Sequence, residues 1–472
     1  MIFNSIEFLI FSLLFFILWP LARIKNSSRW GFIVSASFVF YGWWDWRFLF
    51  LIIFSGMIDY LAGLSMVKYV KKKRLILFIS LFANFGSLFI FKYSVFFATV
   101  TQDLFAFFDV RIYLINKIPE FALILPVGIS FYTFQSLSYT IDIYRNRLAP
   151  TKNILHFFSY LSMFPQLVAG PIVRAKDLLI QLTRYKIPNY TERWNAIKLI
   201  IYGLFQKVVI ADNLSYFIDS AYEGKSIYSG TLYWWFVAIA FSFQIYADFS
   251  GYSSIARGLA KFMGYHFKMN FDHPYLSTSM RMFWSRWHIS LSTWFRDYVY
   301  IPLGGSQKGI AIGMVALTIT MMLSGIWHGA NYTFLIWAGL HTVYLTIERT
   351  TNYTGKLKNF SVILILIVFI QVTLAWVYFR ASSIHEANTI IGYLFDFSDS
   401  NVHFINAYFD NLVFLFLAIL IELTFYTYRK NKSKFQLYKK HQSNIDAVLL
   451  GCCIILIIFF RGEGAQFIYF QF

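Results

Sequence analysis

The chain alternates between long apolar runs and short polar segments, which is the pattern of a polytopic membrane protein. A helix needs about 20 mostly apolar residues to cross the hydrocarbon core of a bilayer. Apolar runs of roughly this length predict spans at 2–20, 31–44, 48–67, 75–98, 121–141, 197–214, 231–247, 310–327, 330–347, 361–379, 408–427 and 446–461. We therefore expect an all-α fold of about eleven to thirteen transmembrane or re-entrant helices.

One apolar segment differs from the others, because 154–171 contains His156, Pro165, Gly170 and Pro171. Prolines and glycines interrupt a helix, and irregular backbone at membrane depth is tolerated only where protein or water satisfies it. We expect this segment to enter and leave on one side. No internal repeat of the transporter kind is visible, so we expect one membrane domain over 1–472, with core motifs in 120–350 and peripheral helices in 1–100 and 360–472.

Composition supports a bilayer as the main surroundings of the chain. Hydrophobic residues make up 58% of the sequence and charged residues only 14%, whereas soluble domains carry about 25% charged residues. The net charge of +18 comes from basic clusters between apolar runs, as in 21–30, 68–74 and 142–152. Basic loops set the orientation of membrane helices, so we expect these loops in the cytoplasm, both termini outside, and no nucleic-acid partner.

Several kinds of site lack their sequence signals. The two cysteines, Cys452 and Cys453, are adjacent in an apolar run, and the histidines have no metal-ligand spacing. The sequence contains no His-Glu-x-x-His, no Walker loop and no Gly-x-Ser-x-Gly elbow. We therefore expect no metal and no permanently bound cofactor, and neither a serine hydrolase nor a nucleotide-driven pump.

The first candidate cluster is 282–302, with the sequence MFWSRWHISLSTWFRDYVYIP. Its aromatic residues recur at helical spacing, and Arg286, Ser290 and Asp297 fall on the other side. This predicts one amphipathic helix at the membrane interface, ended by Pro302 and the glycines that follow. On this pattern alone, His288 is either a packing residue or a chemical one.

The second candidate cluster is 324–331, with the sequence SGIWHGAN between two apolar segments. Glycines flank the Trp327–His328 pair, so the backbone can end a helix there and approach another group closely. An ionisable side chain within membrane spans is a functional candidate by default. The alternative is a histidine at an ordinary extracellular turn.

The third candidate cluster is 244–253, with the sequence QIYADFSGYS at the end of a span. A buried carboxylate at Asp248 must be paired or neutralised. Arg257 lies downstream, so a structural Asp–Arg pair and a direct role in the chemistry both remain open.

Together these clusters resemble the membrane-bound O-acyltransferase family, in particular its bacterial alginate and peptidoglycan O-acetyltransferase branch. The resemblance covers nearly the whole chain. It is carried by 1–5 (MIFNS), 40–44 (FYGWW), 126–135 (PVGISFYTFQ), 139–142 (YTID), 164–174 (FPQLVAGPIVR), 270–271 (NF), 274–275 (PY), 283–292 (FWSRWHISLS), 296–298 (RDY), 300–305 (YIPLGG) and 327–329 (WHG).

The resemblance implies that His328 is catalytic and that His288 is its partner, within a central catalytic funnel. It implies substrate contacts by Gln244, Asp248, Trp287, Arg296, Asp297, Ser324, Trp327 and Asn331. It further implies acetyl-CoA as the acyl-donor substrate and a surface polysaccharide as the acceptor. It also implies a partner, an extracytoplasmic transferase of the SGNH type. The expected location is the bacterial cytoplasmic membrane.

The chemistry agrees with this resemblance, because a hydroxyl becomes a good nucleophile only when a base takes its proton. Histidine is a common base near neutral pH, so His328 is the candidate base. The sequence does not decide whether His288, Asp248 or another polar group orients it or polarises the thioester. Two alternatives remain: a family member that acylates teichoic acid, a lipid or a protein, and a transporter or flippase.

Overall fold

The computed structural model describes residues 1–168, 170–398, 402–430, 442–462, 464–465 and 467–468. Ala169, within the 164–174 motif, and parts of the predicted peripheral region 360–472 lie outside this description. The α-helices are α1 Ile6–Ala22, α2 Asn26–Asp45, α3 Leu49–Lys68, α4 Lys73–Leu88, α5 Ser94–Phe107, α6 Ile129–Tyr144, α7 Ile154–Leu161, α8 Phe164–Leu167, α9 Ala175–Thr183, α10 Tyr190–Phe205, α11 Asp212–Tyr222, α12 Thr231–Met263, α13 Met280–Arg286, α14 Ile289–Phe295, α15 Ile310–His328, α16 Tyr332–Thr351, α17 Tyr353–Lys356, α18 Ser361–Arg380, α19 Ile384–Phe395, α20 Phe404–Ala407, α21 Phe409–Lys430 and α22 Gln442–Phe459.

The helices have the lengths that a bilayer requires. Within the described ranges, seven helical stretches are long and apolar enough to cross a membrane, and there is no β-strand. They are Asn26–Lys68, Val70–Phe107, Tyr190–Tyr222, Ile310–His328, Ser361–Arg380, Phe409–Tyr428 and Gln442–Phe459. The prediction of an all-α polytopic membrane protein is therefore confirmed.

The predicted span 121–141 begins too early. Residues Glu120–Ala122 form a 3-10 turn, and α6 starts only at Ile129, after Gly128. Gly128 has a φ of 77°, and a Cβ at this position would lie 2.6 Å from the carbonyl oxygen of Leu167. Only glycine fits such a backbone at such a close approach, so this position fixes where α6 begins.

The chain divides into two compact units, of which the first comprises Met1–Ile197 and Ala256–Lys268. In this unit α3, α4 and α6 pack together around a buried polar network. The Asp59 carboxylate accepts hydrogen bonds from Ser80 Oγ at 2.5 Å and from Asn84 Nδ2 at 3.0 Å. The network satisfies polar groups that would otherwise destabilise a membrane interior.

The segment 154–171 forms two short helices, α7 and α8, of eight and four residues. Neither is long enough to cross a bilayer, as the prediction that this segment enters and leaves on one side requires. Its backbone is satisfied by protein: the amides of Gln135 and Gln166 both donate to the carbonyl of Tyr160, at 2.7 and 2.6 Å.

The second unit comprises Lys198–Ile255 and Met269–Phe472 and contains both histidines of interest. Its core includes α15, α16 and α18, with α13 packed against α16. The turn between α15 and α16 is short, and a Cβ at Gly325 would lie 2.6 Å from the carbonyl oxygen of Phe334. The absence of a side chain at Gly325 therefore allows α15 and α16 to approach closely next to His328.

Candidate functional site

His288 lies at a break between two short helices. The predicted single helix over 282–302 is wrong, because α13 ends at Arg286 and α14 begins at Ile289. His288 itself has a φ of 42°, in the left-handed region that residues other than glycine rarely occupy. Backbone conformations of this kind are typical of functional sites, where surrounding contacts hold them in place.

Asn270 causes the break, because it supplies the hydrogen bonds that a continuous helix would otherwise make. Its carbonyl oxygen accepts from the Ile289 N–H at 2.9 Å, and its side-chain Oδ1 accepts from the Ser290 N–H at 3.0 Å. These bonds cap the start of α14, as polar side chains commonly do at helix N-termini.

The imidazole of His288 is fully buried. Its Nδ1 lies 3.2 Å from Asn270 Oδ1, and its ring contacts Phe249 edge-on at a centroid distance of 4.5 Å. Burial lowers the pKa of His288 below its ordinary value of 6.5. The ring is therefore neutral at physiological pH and can both donate and accept a proton.

His328 is the last residue of α15 and is also buried. Its ring contacts Trp337 of α16 and Phe379 of α18 at centroid distances of 5.0 and 5.3 Å. Gly329 ends the helix in an extended conformation, as the glycine pair in the sequence predicts. Packing against α16 and α18 therefore fixes the orientation of the imidazole at the end of α15.

Trp327 contacts the rings of both histidines. Its indole ring lies 6.2 Å from the His288 ring and 4.9 Å from the His328 ring, measured between centroids. The fold therefore brings together three residues that the sequence analysis selected, although His288 and His328 belong to different elements. Ser324 lies one helical turn before His328 on α15 and is buried there.

Asp248 takes part in a buried ion-pair network. The Nζ of Lys207 lies 2.9 Å from Asp248 and 2.7 Å from Asp212, and Asp248 Oδ2 accepts from the backbone N–H of Ile468 at 2.7 Å. The suggested pairing with Arg257 is wrong, since Lys207 is the partner. The adjacent Phe249 contacts His288, so Asp248 supports the wall of the site and has no contact with its imidazoles among the described interactions.

The other predicted site residues have different surroundings. Trp287 is buried and packs on Trp376 at a ring-centroid distance of 5.0 Å, and Gln244 is buried one helical turn before Asp248.

Arg296 is 58% exposed and pairs with its neighbour Asp297 at 2.7 Å. Asn331 caps α16 through the Thr333 N–H and donates to the Ser382 carbonyl. None of the described contacts of Arg296 or Asn331 is with a histidine of the site.

Four residues of this region were absent from the predicted site: Asn270, Lys207, Trp337 and Phe379. The sequence does contain signals for Asn270 and Lys207, because Asn270 begins the Asn-Phe motif at 270–271 and Lys207 is a cation within an apolar run. Trp337 and Phe379 had none, since aromatic residues are frequent throughout these spans. Their role follows only from the packing of α16 and α18 beside α15.

The arrangement is suited to proton transfer and acyl chemistry. Two buried imidazoles share one aromatic neighbour, in surroundings that exclude bulk water. Electrostatic interactions are stronger in such surroundings than in water. Over the described ranges, no group of three or more His, Cys, Asp or Glu residues is arranged to hold a metal ion.

Comparisons with known proteins agree with this geometry. Residues 145–385, which include both histidines, match the model of the membrane-bound O-acyltransferase family. The "Probable alginate O-acetylase" of Pseudomonas putida is 37% identical over 78% of this chain and 75% of its own length. The peptidoglycan O-acetyltransferase of Helicobacter pylori is 31% identical over 93% of this chain and 91% of its own length.

A more distant similarity is to the teichoic acid D-alanyltransferase of Bacillus subtilis, at 30% identity over 48% of this chain and 60% of the relative. The family model covers half of the chain, and the two nearer similarities extend over most of it. The chain therefore belongs to the membrane-bound O-acyltransferase family and is a multi-pass membrane O-acyltransferase.

Proposed function

We propose that this protein takes an acetyl group from acetyl-CoA on the cytoplasmic side and delivers it to a polysaccharide hydroxyl outside the cell. The observation that carries the proposal is the pair of buried imidazoles, His288 and His328, which both contact Trp327. Acyl transfer to oxygen needs a base for the hydroxyl proton and a dry environment, and this arrangement offers both.

In the proposed step, the acetyl group moves from the thioester sulfur to a hydroxyl oxygen. His328 accepts the proton of the attacking hydroxyl, and the oxygen forms a bond to the thioester carbonyl carbon. The carbon–sulfur bond then breaks, and the imidazolium returns the proton to the leaving thiolate. The products are an ester and free coenzyme A. His288 is the partner imidazole that orients the reacting groups for His328.

The location of the substrates follows from their chemistry. Coenzyme A is charged and does not cross lipid, while a surface polysaccharide lies outside. A buried site that each substrate enters from its own side, through the funnel we expect, removes the need to transport either molecule. The proposal places the protein in the bacterial cytoplasmic membrane, with an SGNH-type extracytoplasmic transferase as the partner that completes delivery.

The names of the similar proteins, an alginate O-acetylase and a peptidoglycan O-acetyltransferase, support acetyl transfer to alginate or peptidoglycan. A second candidate is favoured by the D-alanyltransferase similarity, which suggests teichoic acid as acceptor and D-alanine as the acyl group. The nearer similarities cover far more of the chain, so acetyl transfer to polysaccharide is the proposal.

Purified protein incubated with radiolabelled acetyl-CoA tests the donor. We expect labelled ester on an added polysaccharide, or on the partner transferase, and none with His328→Ala. The exposed His385→Ala is the matched control and is expected to transfer label normally. Label transferred equally well by His328→Ala would contradict the role of His328.

Mass spectrometry of surface glycans from a deletion strain tests the acceptor. We expect acetyl ester to disappear from one polysaccharide and to return when the gene is restored. Loss of D-alanyl ester with unchanged acetyl ester would instead establish the teichoic acid alternative.

A further inference from the structure

A buried acidic side chain in the second unit lies outside the site described above. Glu422 belongs to α21, one of the helices expected to be peripheral, and is only 5% exposed. A carboxylate within a membrane span is costly unless it is paired, and such residues usually have a function. This residue is paired on both of its oxygens.

The two partners of Glu422 come from different parts of the chain. The Tyr246 hydroxyl of α12 donates to Oε1 at 2.9 Å, and Nδ1 of His273 lies 2.8 Å from Oε2. Tyr246 is buried and His273 is partly exposed. We call this group of three residues the Glu422 clamp.

His273 lies in the segment 270–276, whose first residue, Asn270, contacts the imidazole of His288. It has a φ of 49° and begins the short turn Pro274–Leu276. Three residues earlier, Asn270 binds Nδ1 of His288, and the N–H of Asp272 donates to the Arg286 carbonyl at 3.0 Å. The backbone of 270–273 is therefore hydrogen-bonded on both sides of the helix break at His288.

Tyr275, near the C-terminal end of the 270–276 segment, is also fixed by hydrogen bonds. Tyr275 donates from its hydroxyl to the Ser242 carbonyl at 2.5 Å and accepts from Trp376 Nε1 at 3.2 Å. Between these hydrogen bonds, His273 has an unfavourable left-handed backbone conformation, which must be stabilised by contacts with other parts of the chain. We call such contacts its hold. Two described side-chain contacts with α21 supply this hold: the hydrogen bond to Glu422 and the packing of the His273 ring on Phe425 at a centroid distance of 5.5 Å.

Tyr246 gives the clamp a second route to the site. Its ring lies 5.9 Å from Phe271 and 6.2 Å from Trp287, the residue before His288. Displacing Tyr246 would therefore disturb the packing of the 270–276 segment and of the residue just before His288. A shift of about 1 Å at a catalytic group can cost about a hundredfold in rate.

We propose that Glu422 is a positioning residue for acyl transfer, which acts through His273 and Tyr246 to hold the 270–276 segment and thereby the imidazole of His288. The inference rests on the role of His288 in the proposed function. Glu422 touches no reacting atom in this account. Its contribution is to the geometry of the catalytic step and not to donor binding.

The test compares Glu422→Gln, an almost isosteric change, with Asp446→Asn. Asp446 forms another ion pair on a peripheral helix, 2.7 Å from Lys198, and serves as the matched control. With acetyl-CoA as the probe, we expect Glu422→Gln to lower kcat by about tenfold to a hundredfold and to leave KM for the donor within about threefold. Asp446→Asn is expected to retain both constants.

Two further variants extend the test, and the first, Tyr246→Phe, keeps the proposal testable if Glu422→Gln folds poorly. Tyr246→Phe removes one hydrogen bond and keeps the ring, so we expect a smaller loss of kcat in the same direction. In the double variant Glu422→Gln with His273→Ala, we expect no further loss beyond the worse single variant, because both changes break one clamp. Full activity in Glu422→Gln and Tyr246→Phe would overturn the proposal.

A spectroscopic measurement separates failure of the clamp from failure of the proposed function. The ¹⁵N signals of His288 can be assigned in labelled protein by their loss in His288→Asn. We expect them to shift in Glu422→Gln and to stay in place in Asp446→Asn, whatever the acyl donor is. Unchanged His288 signals in Glu422→Gln would exclude the clamp, whereas an inactive wild type with shifted signals would exclude only acetyl-CoA as donor.

Discussion

Oδ1 of Asn270 accepts from the Ser290 N–H at 3.0 Å and lies 3.2 Å from Nδ1 of His288. A backbone N–H can only donate, so this atom of Asn270 is the oxygen and an acceptor. Nδ1 of His288 therefore carries the proton in this contact, and the neutral ring has its lone pair on Nε2. The capping of α14 and the tautomer of His288 are thus set by one side chain.

Asn270→Ala removes this acceptor and is expected to lower the acyl-transfer rate by about tenfold to a hundredfold, because His288 loses its fixed orientation. Ser253→Ala is the matched control, since it removes the 3.2 Å contact on the other side of the same amide. Steady-state kinetics on purified protein checks this. Equal losses in the two variants would contradict an orienting role for the Oδ1 atom.

Gly329→Ala is expected to damage the site by steric overlap. A Cβ at Gly329 would overlap the Phe334 ring, and Phe334 packs on Phe379, which contacts His328. We expect a loss of about 1–3 kcal/mol in the free energy of unfolding and a reduced transfer rate. The matched control is Gly339→Ala, whose Cβ would meet only Met322 Cε at 3.7 Å.

Thermal unfolding in detergent measures the stability of both glycine variants. Gly339→Ala should behave like the wild type, since its new methyl group has ordinary contacts. Similar unfolding temperatures for all three proteins would show that the Phe334 contact does not position the end of α15.

Lys207→Met is expected to destabilise the protein strongly. Lys207 is 2% exposed and lies 2.7 and 2.9 Å from Asp212 and Asp248, so its loss removes the positive charge that pairs with two buried carboxylates. Breaking a buried ion pair from one side costs about 3–5 kcal/mol. The triple variant with Asp212→Asn and Asp248→Asn should recover much of this loss, and a triple variant less stable than Lys207→Met would contradict the account.

Stability should fall when the protein is acidified. Burial lowers the pKa of His288 and of His156 below the ordinary value of 6.5, so the native state keeps both rings neutral while the unfolded chain binds protons. Their stabilising contribution is full above about pH 6.5 and is lost as pH falls below it, by up to about 1.4 kcal/mol per pH unit for each histidine.

Unfolding temperatures measured between pH 8 and pH 5 check this sign. His156→Gln should reduce the acid loss, because one of the histidines that stay neutral in the native state is gone, while the exposed His385→Ala should leave it unchanged. An unfolding temperature that rises on acidification would contradict the assignment.

Sequence patterns predict the membrane helices of this protein well, because a bilayer imposes length and apolarity on each one. The segments 310–327 and 361–379 correspond closely to α15 and α18. The break at His288 could not be predicted in the same way. Its neighbours have ordinary helical spacing, and only the capping by Asn270, eighteen residues earlier, overrides that spacing.

The pairing of buried charged residues could not be predicted from the sequence either. Asp248 had a plausible partner nearby in Arg257, but Lys207 occupies that role from a different helix. His273 and Glu422 are separated by 149 positions, so no local pattern relates them. Contacts of this kind depend on tertiary packing, whereas the choice of His288 and His328 came from motifs and from family resemblance.

We propose that His288 and His328, which both contact Trp327, act on one acyl group as a unit. The most direct test is a double-mutant cycle on the acyl-transfer rate of purified protein, with His288→Ala, His328→Ala and the double variant. Residues that act as one unit are strongly non-additive, so we predict that the double variant is no slower than the slower single variant. Independent, multiplicative losses, or a normal rate in His328→Ala, would contradict the account.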